Sequence, residues 1–284
     1  MLSRNRKRSS YYKTLKVVAI LSVIISLIAL FSIIIFVFAN GSAYITLNFL
    51  FGPYSENNPT IYPAIVGTLE LILVCLLIAT PIGIFTAIFL VEYMSSESKL
   101  IRIIKITIET LAGIPSIVYG LFGYLIFVVN FGWGYSLFGG GITLSIMILP
   151  VIVRSTEESL MSVPNELREG SYALGTGKVK TIFKVVLPCA SSGVVASLIL
   201  AVGRVLSESA VLILTIGMVV NKVPENIMSA GTSLALDIYY FGSYGHPNES
   251  AAAAVVLLLL ILSINLIAYF VGNLLKKGKN FNEN

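Results

Sequence analysis

The stretch REGSYALGTGKVKTIFKVVLP, residues 168–188, decides how the rest of the chain is read. It combines a carboxylate at Glu169, glycines at Gly170, Gly175 and Gly177, three lysines and a closing Leu187-Pro188, and it sits between two long apolar segments. Just before it, Pro164-Asn165-Glu166 opens a short helix, with proline early and an acid in the first turn, where the helix dipole favours it. Gly175 and Gly177 stop that helix. A second amphipathic run, Val179 to Leu187, leads to Pro188 and the next apolar segment. Two short helices joined by a glycine turn exceed what a connector requires. Such a unit lies across a membrane surface either to rest on headgroups or to offer one face to a partner, and the local sequence leaves both open.

The surroundings require lipid. Of 284 residues 56% are hydrophobic and only 12% charged, about half the charged share of a soluble domain. A helix needs about 20 apolar residues to cross the bilayer core, and six stretches qualify: 15–38, 64–91, 103–130, 142–161, 190–220 and 252–275. The first is too long for the apolar core of a signal peptide, about 7–15 residues, and reads as a retained span. The expected fold is an all-α integral membrane protein with six transmembrane helices. Its parts are a tail over 1–14, the first helix over 15–38, a five-helix domain over 64–275 whose loop occupies about 162–188, and a tail over 276–284.

Lysine and arginine orient it. They gather in the N-terminal tail, the 92–105 and 154–184 connections and the C-terminal tail, which hold 17 of the 19; Lys222 alone lies in a loop of the other side, and Arg204 lies inside a span. The asymmetry makes both termini cytoplasmic. Positive charge in short runs flanking apolar spans is an orientation signal and not a nucleic-acid footprint. Cys75 and Cys189 are too far apart in character for a disulfide, and with His246 as the one histidine no zinc site is expected.

Several spans carry helix breakers: Pro81, the Gly113-Ile114-Pro115 triplet and Pro150. Proline removes a backbone donor and kinks a helix, which a membrane tolerates where neighbours or a cavity satisfy the freed carbonyls. Pro81, Gly113, Pro115 and Pro150 are therefore either ordinary kinks or candidates for a gate.

The 168–188 stretch resembles the cytoplasmic loop of ABC-type import permeases. That pattern runs Glu-Ala-Ala, three residues, Gly, nine residues, Ile, one residue, Leu-Pro, and here Glu169-Gly170-Ser171, Gly175, Val185 and Leu187-Pro188 keep the spacing. Gly170 and Ser171 replace the two alanines, keeping small size but weakening the helix. The resemblance implies a type I importer bundle with a coupling helix at Glu169–Gly175 that inserts into an ATP-hydrolysing subunit, with Leu187 and Pro188 closing the motif. Thr110 to Gly123, Ala79 to Ile84 with Glu92-Tyr93, and Gly203 to Ser209 further resemble phosphate permeases. Thr232 to Tyr240 and the Ala251–Ala254 run are similar to the PstA-type subunit rather than its PstC-type partner. This implies three protein partners besides the bilayer, an ATPase dimer, a second permease subunit and an extracytoplasmic phosphate-binding protein, with inorganic phosphate as the cargo.

Arg204 and Glu208 lie four apart in the 190–220 span and so share one helix face. Ionisable residues inside a membrane are functional candidates by default, and the guanidinium fork suits a phosphate. The pair either lines the translocation path or locks helix packing. Glu70 and Glu109 have weaker claims. The 221–250 segment, with Lys222, Glu225, Asp237, His246 and Glu249, is either a solvated loop or a docking face. The chain holds no Gly-x-x-x-x-Gly-Lys-Ser/Thr loop and no Ser–His–Asp or Cys–His set, so ATP and magnesium are expected in the partner ATPase and no cofactor in this chain. A permease for molybdate or sulfate, a membrane-embedded enzyme and a scaffold without a path are the competing expectations.

Overall fold

The computed structural model describes residues 2–56, 58–94 and 98–280. Among these residues the chain is helical apart from turns and one isolated bridge, Ser55 to Asn58. Met1 and residues 281–284 of the expected tails lie outside the described residues.

A long helix α1 (Leu2–Gly41) is followed by a short α2 (Leu47–Phe51) and then α3 (Tyr62–Ile88), which runs on through a π turn, Phe89–Tyr93. The first expected tail and the first span are thus one helix. From Leu15 to Tyr44 its apolar surface is uncovered by the rest of the chain. It meets the bundle at its C-terminal end, where Tyr44 Oη accepts from Asn248 Nδ2 at 2.7 Å. Only a lipid or protein neighbour can cover such a surface at an acceptable free energy.

The expected third span is not a straight helix. α4 (Lys99–Gly113) and α5 (Ser116–Gly123), the latter extended by a π turn to Asn130, meet at 98°. Ile114 precedes a proline, which disfavours the α region, and it is extended at φ −71°, ψ 131°, as is Pro115 at φ −59°, ψ 139°. The bend frees carbonyls at the end of α4, and the Tyr119 hydroxyl donates across it to the Leu111 carbonyl at 2.7 Å. Pro81 and Pro150 behave differently: each lies inside an uninterrupted helix, Pro81 in α3 and Pro150 in α6 (Leu137–Met161). Of the four gate candidates, only Gly113 and Pro115 sit at a true break.

α3 and α6 form the spine of the bundle. A Cβ added at Gly141 would lie 2.5 Å from Val74 Cγ1, and one at Gly83 2.6 Å from Ile152 Cγ2, so the two helices touch nearly backbone to backbone. Ser145 Oγ reinforces the seam by donating to the Cys75 carbonyl at 3.2 Å. Small residues drive such contacts in lipid, where apolar area alone confers no preference for a helix neighbour.

After α6 come α7 (Asn165–Ala173) and a run of α8 (Lys178–Thr181), a π turn (Ile182–Val186) and α9 (Leu187–Leu206) that together form one continuous span, Lys178–Leu206. The expected second surface helix is therefore the first turns of the span itself, and Leu187-Pro188 does not break it. Pro188 lies at the first positions of α9, where a missing N–H costs little. The span ends at Leu206, not near residue 220. Ser207 Oγ donates to the Arg204 carbonyl at 3.1 Å, and the chain turns into α10 (Ala210–Thr215), which packs back against α5. An irregular segment over 216–233, α11 (Leu234–Ser243) and α12 (Pro247–Asn280) complete the chain. Among the described residues, five helices are long and apolar enough to cross a membrane, six with the bent α4–α5 pair counted as one span.

Candidate functional site

The elbow that joins α6 to α9 lies at the end of the bundle that carries the basic loops. α7 begins after Pro164 and stops at a left-handed glycine, Gly175, at φ +79°. The Gly175 amide donates to the Tyr172 carbonyl at 2.9 Å and the Thr176 amide to the Ser171 carbonyl at 3.3 Å, the paired bonds of a Schellman cap. Only glycine adopts that backbone without strain.

Two faces of α7 differ in kind. Outward lie Glu166, Leu167, Glu169, Gly170 and Tyr172, followed by Leu174, which at 86% exposed is nearly free of the protein. Inward, Ser171 is buried, and its hydroxyl bonds Thr176 Oγ1 at 2.5 Å and Thr181 Oγ1 at 2.9 Å. Ser171 sits at a coupling-motif position with its side chain turned inward, closing the loop onto the start of α8. Leu187 likewise packs into a cluster with Leu160, Val163, Ile182 and Val186 beneath the elbow, while Pro188 is exposed on the span. Glu169, Gly170 and Gly175 are the motif residues on the open side.

Gly170 has no neighbour within 4 Å of an added Cβ. Gly170→Ala is expected to stabilise α7 by roughly 0.8–1 kcal/mol, so hydrogen exchange of α7 amides slows about fivefold in detergent-purified protein.

One contact at the elbow had no sequence signal beyond its residue types. Arg168, on α7, donates from Nε and Nη2 to Glu92 Oε1 at 3.0 and 2.9 Å, from Nη1 to the Val163 carbonyl at 2.7 Å and from Nη2 to the Leu160 carbonyl at 2.9 Å. Glu92 belongs to the π turn that ends α3. Their separation of 76 positions hides the pairing from any local pattern. Lys178 lies 4.8 Å from the Tyr93 ring centroid alongside.

The intramembrane charges are arranged otherwise than their spacing predicts. Helix α9 ends between Arg204 and Glu208, so they share no helix face, and among the described residues they form no ion pair. Glu208 Oε1 instead accepts from the Val211 amide at 3.4 Å, at the first turn of α10. Arg204 borders a stripe of α9 on which Ala196, Leu200 and Ser207 are exposed, and an added Cβ at Gly203 meets nothing within 4 Å. An arginine thus stands beside an uncovered face in the membrane.

Other candidates fall into place around these. Glu70 Oε2 is buried without a hydrogen-bond partner among the described residues. Glu109 lines a crevice of about 490 Å³ between α4 and α6, where Lys105 Nζ meets Glu157 Oε1 at 2.6 Å. At the opposite end, the 216–233 segment is pinned over the start of α6: the Phe138 amide donates to Ile227 at 2.7 Å and the Leu137 amide to Ser229 at 3.0 Å. Asp237 is fully buried in α11, where it accepts the Thr232 hydroxyl, and burial pushes its carboxyl up to about 8. It leaves the set of possible outer contact residues, whereas Lys222 and Glu225 form an exposed pair at 2.6 Å.

The described residues thus form a helical bundle with apolar spans, an uncovered face beside Arg204 and a protruding polar elbow. The chain belongs to the family of binding-protein-dependent transport system inner membrane components, whose model matches residues 79–280. It is 33% identical over 269 residues to the probable ABC transporter permease protein YqgI of Bacillus subtilis, covering 88% of this chain and 90% of that one. It is 41% identical over 157 residues to the phosphate transport system permease protein PstA 1 of Mycobacterium tuberculosis, covering 55% of this chain and 51% of that protein. Against this second relative the chain spans about half its length. Among solved structures, a bacterial alginate ABC transporter in complex with an alginate pentasaccharide-bound periplasmic protein shares the fold, at TM-score 0.68, 19% identity, and 89% and 92% coverage. The chain is a multi-pass inner-membrane permease component and not an enzyme.

Proposed function

We propose that this chain is the transmembrane subunit of an ATP-driven inorganic phosphate importer. The observation that carries the proposal is the likeness to PstA 1, 41% identical over a stretch of 157 residues, joined to an arginine on an uncovered intramembrane face. A second, homologous permease subunit covers that face and completes the path. The basic end is cytoplasmic, as are both termini, following the lysine and arginine asymmetry. There the outer side of α7, with Glu169 and Leu174, docks on a separate ATPase dimer that holds ATP and magnesium. An extracytoplasmic phosphate-binding protein delivers the cargo at the opposite end. Arg204 offers transient positive potential to the passing oxyanion, and the Gly113–Pro115 bend is the place where the path opens and closes.

Sealed inside-out vesicles holding this chain with its partner subunits do not suit the test, because the binding protein must face the loading side. Right-side-out proteoliposomes with the ATPase and ATP inside and the binding protein outside do. The expected result is vanadate-sensitive accumulation of labelled phosphate. Uptake of molybdate or sulfate without phosphate would reassign the cargo, and absence of any ATP-linked flux would remove the importer reading.

A further inference from the structure

α7 is attached to the bundle through two turns, Ser162–Pro164 on one side and Leu174–Gly177 on the other. Turns yield under load. A force applied at the exposed side of α7 reaches the spans only if something stiffer bypasses them.

Arg168 is the residue that does so. Its guanidinium offers five N–H donors in a fixed plane, and it spends them on two different helices. Two bonds reach one carboxylate oxygen of Glu92 at the end of α3, at 3.0 and 2.9 Å. One more reaches the Leu160 carbonyl in the last turn of α6 at 2.9 Å, and another braces the Ser162–Pro164 turn itself at the Val163 carbonyl, at 2.7 Å. The positive charge also faces the negative end of the α6 dipole. The side chains of Arg168 and Glu92 are 13% and 5% exposed, so water neither screens nor competes with the pair. Ser171, two bonds of its hydroxyl directed at Thr176 and Thr181, fastens the next turn of α7 to α8 and thereby to α9. The ends of α3, α6 and α9 converge in one apolar cluster directly beneath, with Ile88, Leu90, Leu160, Ile182 and Val186.

We infer that the Arg168–Glu92 pair is the transmission joint of this permease: it locks α7 to α3 and α6, so that displacement of the elbow moves those two spans together. The inference rests on the reading of the chain as an ATP-driven importer subunit. Arg168 and Glu92 are positioning residues; neither touches cargo or nucleotide.

The joint requires the fork and not merely a charge. An ammonium carries three donors at a single point and cannot bridge the carboxylate and both carbonyls. In reconstituted complexes, Arg168→Lys is expected to leave binding of the ATPase subunit and the rate of ATP hydrolysis within twofold of wild type while phosphate moved per ATP falls at least tenfold. Glu92→Gln, which keeps an acceptor but loses the charge, is expected to lower the same ratio about three- to tenfold. A transport ratio within twofold of wild type for both variants overturns the joint. Failure of both to accumulate in the membrane makes the pair a folding element and overturns it as well.

A second readout is independent of cargo. Ser207→Cys, at the C-cap of α9 on the face that the second subunit closes into the path, is labelled with an impermeant maleimide with and without ATP and vanadate. The expected nucleotide-dependent change in labelling is lost in the Arg168→Lys background, and its persistence there contradicts the joint. A complex carrying Ser207→Cys with Arg168 and Glu92 unchanged that shows this change but accumulates no phosphate counts against the phosphate reading and not against the joint.

Discussion

Proteoliposomes carrying the Arg204→Gln chain with its partner subunits are expected to take up labelled phosphate on the order of 100-fold more slowly than wild type. A hydrogen bond to a charged group contributes about 1.5–3 kcal/mol, and about 1.4 kcal/mol corresponds to a factor of ten. Arg204, in the last turn of α9, has no carboxylate partner among the described residues, since the helix ends before Glu208 and Glu208 turns to the Val211 amide. Its charge is available to a passing anion and is not consumed by internal packing. Glutamine keeps a shorter, neutral hydrogen-bonding group and removes the charge and its fork, so the variant should still insert and co-purify with its ATPase. Arg204→Lys should retain partial uptake, because an ammonium supplies the potential without the planar fork. Uptake at the wild-type rate by Arg204→Gln would return the residue to a packing role.

Leu174→Asp is expected to abolish co-purification of the ATPase subunit and, with it, ATP-driven uptake. Leu174 is the most exposed apolar residue of the elbow, at 86%, and so has almost no neighbour of its own to lose. Burying a leucine against a partner contributes roughly 1.5–3 kcal/mol, and an aspartate buried at the same contact adds a desolvation penalty. Together these weaken association by at least about 100-fold. Glu169→Lys, one helical turn and a half earlier on the open side, tests the same surface by charge reversal and should also reduce co-purification. Retention of the ATPase by both variants would leave the exposed face of α7 resting on lipid headgroups.

These expectations were legible in the sequence to different depths. Apolar run lengths are local quantities, and they placed the bounds of α3, α6 and α12 within five residues. The glycine stop at Gly175 and the proline start at Pro164 are backbone constraints with no tertiary component, so α7 was legible as well. Where the reading went astray, long-range contact decided the outcome. Apolar continuity over 190–220 concealed the end of α9 at Leu206, because the return of α10 onto α5 depends on the close approach of Val211 to Gly120. Proline at 115 announced a kink but not its size: the right angle between α4 and α5 is sustained by the Tyr119 hydroxyl reaching Leu111. Ser171 was legible as small, but its inward direction depends on Thr176 and Thr181. Arg168 counted in the sequence as one more basic residue, and only the fold brings Glu92 to it.

The seam between α3 and α6 limits how this molecule can move. With Gly141 against Val74 and Gly83 against Ile152, the two axes are already at their distance of closest approach, and side chains from one would have to climb over the other for them to slide lengthwise. Rotation as a single plate is the motion that leaves these contacts intact. In the importer proposed above, alternation between the two sides of the bilayer would then fall to tilting of that plate against the second permease subunit, with the right-angled bend before α5 supplying the compliance that the plate lacks.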